Sequence, residues 1–260
     1  MPSFRLSLGQ MDIALGKPDE NFERVREWTA EAAGNDSALV VFPELWSTGY
    51  DLENWPTYAS KLGEGMFAQL SELAAEFKIA IAGSIMEAKN GKCYNSLALF
   101  DAEGGQRAVY RKVHLFRLME EEKWLAPGEE SVIAEAAWGP TGLGICYDLR
   151  FSELFRKYAL NGAKMIILPA EWPGRRAYHW QTLLRARAIE NQMFVVGVNR
   201  VGESKGEQFG GGSAVIDPWG EAVVEGGSDP ALLHAEIDLG MVDEVRKRIP
   251  VFEDRRPDVY

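Results

Sequence analysis

Residues 141–155 read TGLGICYDLRFSELF. The apolar run TGLGI is typical of a buried strand, and the segment after it has the spacing of a helix with Ser152 as its N-cap. A second apolar run, Met165–Leu168, follows that helix. Strand, helix and strand in this order predict a βαβ unit of an α/β fold. Cys146 therefore lies at a strand-to-helix corner.

The rest of the chain alternates in the same way between short β-rich runs and longer amphipathic runs. Helices are predicted at 21–33, 66–77, 152–160 and 179–191, and strands at 4–8, 38–42, 79–85, 94–100, 107–111, 131–135, 141–145, 165–168, 194–199, 213–216 and 232–237. Ten or more strands are too many for a typical open twisted sheet. We therefore predict a four-layer α-β-β-α sandwich with two mixed β-sheets.

No low-complexity linker, charge block or internal repeat divides the 260-residue chain, which predicts a single domain over residues 1–260. Residues 241–260 read MVDEVRKRIPVFEDRRPDVY, which is too polar and too interrupted by proline to predict a contribution to the core. That stretch still carries four apolar anchors, Ile249, Val251, Phe252 and Tyr260. We therefore predict that residues 245–260 form a C-terminal tail that contacts another subunit.

The charge balance limits the possible partners. The chain has 28 Lys and Arg against 39 Asp and Glu, a net charge of −11, so no diffuse positive field is available for phosphate backbones or anionic lipid. We expect neither nucleic-acid nor membrane binding. An N-terminal signal-like run and an 18-residue apolar segment are both lacking in the sequence, which predicts a cytoplasmic protein.

The cysteines point in the same direction. Cys93 and Cys146 form no CxxC pair, which argues against a disulfide framework or a zinc knuckle and favours a reducing compartment. Backbone N–H groups at the corner of Cys146 could lower a thiol pKa or bind an oxyanion. Position alone leaves two interpretations open, a nucleophile or a buried small hydrophobe. Cys93 is predicted to be buried without a catalytic role.

Two further strand ends carry chemistry. Glu44 follows the apolar strand at 39–42, and Lys112 closes the strand AVYRK. Because α/β sites gather at the carboxyl ends of strands, a carboxylate, an ammonium and a thiol could meet there. Each of these residues alone is also compatible with a solvated loop position, and a dyad of Cys146 with one of the three histidines stays open.

The segments around these residues read FPELWSTGY, YRKVHLF and GICYDLRF, and together they resemble the nitrilase (carbon-nitrogen hydrolase) superfamily. Matching stretches run from Leu6 to Val251 and include AGSIME, YNSLALFD, EEEKWLAPG, IILPAEWP and GGSAVIDPWGE. The AEWP, RARAIENQ and DPWG stretches are most similar to the omega-amidase branch. That branch removes ammonia from 2-oxoglutaramate and related dicarboxylate monoamides such as succinamate.

The resemblance implies a mechanism. Glu44 would take the proton of Cys146, whose thiolate attacks an amide carbonyl, while Lys112 and the backbone N–H of Tyr147 stabilise the oxyanion. Ammonia leaves from a thioester that water then hydrolyses. No metal or organic cofactor is implied.

The resemblance also implies a second catalytic glutamate. The match EEEKWLAPG places it at Glu121, although Glu120 or Glu122 could occupy that register. The alternative interpretation is that all three glutamates form a solvated acidic face.

Substrate recognition is predicted from charge. A chain of net charge −11 repels anions at long range, so a substrate carboxylate needs a local cation, and arginine is suited to bidentate binding. Arg176 is predicted to bind the substrate carboxylate, and its neighbour Arg175 is the other candidate. The alternative interpretation is that both are loop arginines that face solvent. Trp172 and Tyr50 are predicted to shape the pocket. Arg150 is expected to pair with a nearby carboxylate instead.

Other functions stay open within and outside the superfamily. The substrate could be a carbamoyl amine, a deaminated peptide or a nitrile, and a hydrophobic pocket without an arginine requirement would favour these. A protein of a different class would be a non-enzymatic thiol sensor or interaction protein built around Cys146. A homodimer or a higher homo-oligomer is the assembly that the resemblance implies.

Overall fold

Two six-stranded mixed sheets form the centre of the protein in a computed structural model that describes residues 3–259. The first sheet contains, in spatial order, β14 (Ala231–Ile237), β1 (Phe4–Gln10), β2 (Leu39–Val41), β3 (Ala80–Lys89), β4 (Lys92–Phe100) and β5 (Gln106–Arg111). The second contains β13 (Ala222–Glu225), β12 (Ala214–Ile216), β9 (Phe194–Asn199), β8 (Met165–Ala170), β7 (Gly139–Leu143) and β6 (Ile133–Ala136).

Helices and one hairpin complete the architecture. The helices are α1 (Pro18–Gly34), α2 (Trp55–Tyr58), α3 (Gly65–Phe77), α4 (Glu121–Trp124), α5 (Ser152–Leu160), α6 (Ala177–Asn191) and α7 (Gly240–Arg248). The hairpin pairs β10 (Val201–Ser204) with β11 (Glu207–Gly210) outside the two large sheets. No helix within residues 3–259 combines the length and the apolar character needed to cross a membrane.

Burial along β2 shows how the layers are stacked. Leu39 and Val41 belong to the core cluster that also contains Leu143 of β7, whereas Val40 belongs to the cluster with α1 and α3, represented by Leu70. Side chains alternate between the two faces of a strand, so one face of the first sheet meets the second sheet and the other meets helices. The predicted four-layer α-β-β-α sandwich is confirmed.

Helix α6 covers the outer face of the second sheet. An ideal Cβ at Gly197 of β9 would lie 2.8 Å from Leu184 and 2.9 Å from Trp180, so only a glycine allows this close approach. The indole of Trp180 also donates a hydrogen bond of 2.7 Å to the carbonyl of Gly212. This packing fixes the first half of α6 against β9.

The parallel strands determine where the site lies. In the first sheet β1, β2 and β3 are parallel neighbours, and in the second sheet β7, β8 and β9 are. All carboxyl ends of such a set point to the same edge of their sheet. The segments after β7, β8 and β9 therefore emerge at one edge of the second sheet. The segment after β2 meets them there, because Glu44 accepts a hydrogen bond from the N–H of Glu171, which follows β8.

Several sequence-based expectations are wrong in detail. The hairpin β10–β11, strand β13 and helix α7 were not predicted, and Ser152 is the first residue of α5 rather than its N-cap, which is Phe151. Residues 241–260 do contribute to the core, because Val242 and Val245 on one face of α7 are buried. Two valines three residues apart are too few apolar residues to predict a helix in such a polar stretch. Tyr260 lies outside the described residues.

Candidate active site

Cys146 lies at the corner after β7, as predicted, and begins the short 3-10 helix 146–150. Its φ of +46° is in the left-handed region, which residues with a side chain rarely adopt. The side chain of Asp148 holds the corner, because its Oδ2 accepts hydrogen bonds from the N–H of Ile145 at 2.8 Å and from the hydroxyl of Tyr110 at 2.7 Å. The surrounding structure thus maintains a strained position for the thiol.

Glu44 follows β2 and is fully buried. Its Oε1 accepts hydrogen bonds from Nζ of Lys112 at 2.7 Å and from Nδ2 of Asn95 at 2.8 Å. Its Oε2 accepts the backbone N–H of Glu171 at 2.8 Å. The three donors are Asn95 on β4, Lys112 directly after β5 and Glu171 directly after β8, and together they fix this carboxylate in one orientation.

Lys112 connects Glu44 to a second buried carboxylate, Glu121 of α4. Nζ of Lys112 lies 2.6 Å from Oε1 of Glu121, and the hydroxyl of Tyr50 donates to the same oxygen at 2.6 Å. Glu121 is fully buried, whereas Glu120 and Glu122 are exposed. The structure therefore selects Glu121 among the three adjacent glutamates as the partner of Lys112.

The charges of this network follow from burial and proximity. Burial lowers the pKa of Lys112, but the carboxylates of Glu121 and Glu44 outweigh it and raise that pKa well above its ordinary value. Burial also raises the pKa of Glu121, against the effect of Lys112. The pKa of Cys146 is raised well above its ordinary value by burial and then by Glu44. The resting thiol is therefore protonated, with a carboxylate beside it.

A narrow pocket opens over Cys146. The residues that line it with the thiol are Phe116, Tyr147, Arg150, Glu171, Trp172, Pro173 and Arg176. Tyr147, Trp172 and Arg176 were expected at this place. Tyr50, which was expected to shape the pocket, is not among these lining residues; it is buried and its hydroxyl donates to Glu121. Arg175 does not reach the pocket, because its exposed side chain forms an ion pair of 2.6 Å with Glu207 of β11.

Two arginines flank the pocket, and Trp172 supports both. The guanidinium of Arg150 lies 4.8 Å from the ring centroid of Trp172, and the indole N–H of Trp172 donates to the carbonyl oxygen of Arg176 at 2.9 Å. The guanidinium of Arg176 lies 5.4 Å from the ring of Phe116. Burial and the positive charges of neighbouring arginines, Arg150 among them, lower the pKa of Arg176.

The expected carboxylate partner of Arg150 is wrong. Its side chain contacts Nδ1 of His179 at 3.3 Å, and across residues 3–259 no carboxylate forms an ion pair with Arg150 or Arg176. The expectation failed because Arg150 is close in sequence to acidic residues that point elsewhere. Asp148, for instance, is used entirely by the corner and by His114, which contacts Oδ1 at 2.7 Å.

Sequence reasoning also missed Asn95, Asp148 and Glu171. Glu171 follows β8 directly, as Glu44 and Lys112 follow their strands, so the same rule applied to AEWP would have indicated it. Asn95 and Asp148 act through side-chain hydrogen bonds whose partners lie far away along the chain. Within the described part of the chain, no group of three or more His, Cys, Asp and Glu side chains is arranged to hold a metal ion.

The chain is similar to known proteins of one family. The family model described as carbon-nitrogen hydrolase matches residues 5–247. The chain is 42% identical to the 2-oxoglutaramate amidase of Bacillus subtilis (strain 168) over 98% of both chains. It is 37% identical to the omega-amidase NIT2 of Homo sapiens, over 100% of this chain and 98% of that protein.

A solved structure shows the same fold. A CN-hydrolase superfamily protein of Xanthomonas campestris, which carries an arsenic adduct in its active site, superposes with a TM-score of 0.92 at 32% identity and 98% coverage of both chains. The protein belongs to the carbon-nitrogen hydrolase family.

Proposed function

We propose that this protein is an amidase that hydrolyses the terminal amide of small dicarboxylate monoamides, of the 2-oxoglutaramate and succinamate type, to acid and ammonia. The observation that carries the proposal is one pocket in which Cys146, adjacent to a buried Glu44–Lys112–Glu121 network, is lined by two arginines that pair with no carboxylate among residues 3–259. The names of the amidases to which the chain is 42% and 37% identical support the same substrate class.

The first step is acylation of Cys146. Glu44 accepts the thiol proton, and the thiolate attacks the amide carbonyl carbon. Lys112 supplies a positive charge for the developing oxyanion. The N–H of Tyr147 supplies a donor, because the first N–H groups of a 3-10 helix have no acceptor within it.

The intermediate then breaks down. The proton held by Glu44 moves to the amide nitrogen, the C–N bond breaks, and ammonia leaves a thioester on Cys146. A water molecule, deprotonated by Glu44, attacks the thioester carbonyl and releases the carboxylic acid and the thiol. Glu121 positions Lys112 throughout, since its Oε1 is 2.6 Å from Nζ.

Arg150 and Arg176 are proposed to bind the second carboxylate of the substrate. Two guanidinium groups that share a small pocket without a counter-ion repel each other, and a bound carboxylate removes that repulsion. The rings of Trp172 and Phe116 hold the two side chains in place, which lowers the entropy lost on binding. An anionic substrate can thereby be bound by a protein of net charge −11.

The alternatives are less well supported. A nitrile, a carbamoyl amine or a deaminated peptide without a free carboxylate would leave both arginines unpaired. A thiol sensor needs a cysteine of lowered pKa, whereas burial and Glu44 raise the pKa of Cys146. A thiol of raised pKa becomes a nucleophile only when a base removes its proton, as happens in an acyl-transfer enzyme with a bound substrate.

We further propose that the protein acts as a homodimer or higher homo-oligomer in a reducing compartment such as the cytoplasm. Exposed apolar side chains near the C-terminus support the assembly. Two free cysteines, one of them the proposed nucleophile, support the compartment, because an oxidised Cys146 could not attack a substrate.

The test is ammonia release from 2-oxoglutaramate, succinamate, glutamine, asparagine, a carbamoyl amine and an aliphatic nitrile, with the wild type beside Cys146→Ala. Rapid release from the first two substrates that Cys146→Ala abolishes is the expected result. Arg176→Ala and Arg150→Ala should each raise the KM for succinamate about tenfold or more and leave butanamide turnover unchanged. Release that survives Cys146→Ala, or an unchanged KM in both arginine variants, would contradict the mechanism or the carboxylate site respectively.

A further inference from the structure

A second buried ion pair adjoins the site. Glu171 follows β8, Arg200 follows β9, and both side chains are fully buried. Nη1 of Arg200 lies 3.0 Å from Oε2 of Glu171. Nη2 of Arg200 donates to Oδ1 of Asp12 at 2.8 Å and to the carbonyl oxygen of Ile13 at 3.0 Å. Arg200 is thus held from several sides and fixes one oxygen of Glu171.

The other oxygen of Glu171 is unpaired. Oε1 is buried and has no hydrogen-bond partner among residues 3–259. Leaving a buried carboxylate oxygen unpaired has a free-energy cost, and such atoms in native proteins commonly have a functional reason. Glu171 also lines the pocket with Cys146. A wall residue of the pocket therefore carries a buried acceptor without a partner among residues 3–259, on the side of Glu171 where a Cβ at Gly49 would lie 3.6 Å away.

The position of Glu171 relative to Glu44 indicates which substrate atom it meets. The backbone N–H of Glu171 donates to Oε2 of Glu44 at 2.8 Å, so the two residues are adjacent. In the mechanism above, Glu44 returns its proton to the leaving nitrogen, which must then lie beside Glu44. A primary amide carries two N–H groups, and the nitrogen needs an acceptor in its plane.

We propose that Oε1 of Glu171 accepts a hydrogen bond from the NH2 group of the scissile amide and so selects amides over esters and thioesters. This inference rests on the proposed function and adds the residue that recognises the leaving group. Glu171 exchanges no proton in the reaction: the proton on departing ammonia is the one that Glu44 took from Cys146. A leaving group without N–H hydrogens cannot donate a hydrogen bond to Glu171, so the buried Oε1 stays unpaired.

The variant Glu171→Gln tests this with little change of shape. Arginine has donors only, so Arg200 turns the carbonyl oxygen of the new side chain toward itself and places the NH2 group where Oε1 was. An acceptor in the pocket becomes a donor that opposes the amide N–H. The kcat/KM for succinamate should fall about thirtyfold or more, while that for the S-methyl monothioester of succinate should change less than about twofold.

Asp12→Asn is the matched control, because it also removes a carboxylate from Arg200 but lies outside the pocket, with a side chain 56% exposed. It should leave the ratio of amide to thioester kcat/KM unchanged. Equal losses on both substrates in Glu171→Gln would indicate a structural role, and no loss on either would indicate no role, so both results overturn the inference. Failure of the proposed function is distinct, because the wild type would then release no ammonia from succinamate.

Discussion

Two opposing effects set the pKa of the fully buried carboxyl of Glu171, namely its burial and its ion pair with Arg200. Burial raises the pKa of Glu171 from 4.5 to about 7, although Arg200 acts in the opposite direction. In the unfolded chain the group ionises at its ordinary value, so between pH 4.5 and 7 the native state binds more protons than the unfolded state. The stability that this group contributes is present at low pH and is lost as the pH rises through 7.

Glu171→Gln should therefore stabilise the protein at alkaline pH. Glutamine resembles the protonated carboxyl, so we expect a free energy of unfolding close to wild type at pH 5 and up to about 3 kcal/mol higher at pH 8. Urea unfolding at both pH values measures this, with the exposed Glu72→Gln as a control that should show no pH-dependent difference. A variant that is equally destabilised at both pH values would show that the carboxylate is ionised without cost. A gain in stability with a loss of amide turnover would mark Glu171 as a functional residue.

Individual site residues could be predicted where their position after a strand indicates them. Glu44, Lys112 and Cys146 follow strands, and the carboxyl ends of neighbouring strands meet, so their proximity could be expected from sequence. Which charged side chains form pairs could not be expected from sequence. Arg150 was assigned a carboxylate partner and lies over Trp172 instead, because which side chains meet across two sheets depends on register and layer spacing rather than on sequence distance.

At the scale of elements, hairpin β10–β11 connects the surface to the buried ion pair. Its Phe209 is only 5% exposed and lies 4.5 Å from the guanidinium of Arg200. The turn residues Lys205 and Gly206 both have positive φ, which a tight hairpin turn requires. The hairpin was missed in the sequence because GESKGEQ reads as a polar loop. The same loss of apolar alternation at EAKNGKCY ended the predicted strand at 85, although β3 extends to Lys89.

Phe209→Ala should loosen this element and, through Arg200, the site. We expect a loss of about 3 kcal/mol or more in the free energy of unfolding, as for other buried aromatic side chains, and a reduced preference for amide over thioester. Urea unfolding and the two-substrate assay measure these effects. Glu207→Gln in the same hairpin, which breaks the partly exposed pair with Arg175, should cost less than about 1 kcal/mol and leave the preference intact. Intact selectivity in Phe209→Ala would separate the hairpin from the site.

For the whole molecule, the layer order was predictable because it depends on patterns that survive without coordinates. Period-two burial, many short strands and helices of amphipathic spacing are sufficient for a sandwich of two sheets. Area scaling for 29.0 kDa gives about 11,000 Å² of surface, and the described residues expose 11269 Å². The surface through which copies of the chain would associate could not be predicted, because sequence does not show which apolar residues stay exposed after folding.

The structure shows such residues together near the C-terminus. Ile189, Trp219 and Ile249 are 53%, 41% and 45% exposed. They are neighbours, since a Cβ at Gly220 would lie 2.5 Å from Ile189, and Gln192 at the end of α6 donates to the carbonyl of Ile249 at 2.8 Å. Exposed apolar side chains that lie close together commonly mark a protein–protein contact.

Removal of residues 249–260 should therefore weaken the self-association proposed above. The cut must follow Arg248, because Val245 is buried and Arg246 donates to the carbonyl of Ala163 at 2.8 Å, so a deletion from 245 would remove core contacts. The shorter deletion still removes Phe252, which packs against the core cluster and lies 5.1 Å from the guanidinium of Arg246, so a substitution in the full-length chain is needed beside it. Analytical ultracentrifugation should show a smaller sedimenting species for the truncated protein at micromolar concentration, with an unchanged circular dichroism spectrum. Ile189→Ser should act in the same direction without shortening the chain. If both proteins sediment as the wild type does, neither the tail nor the patch lies in a subunit interface.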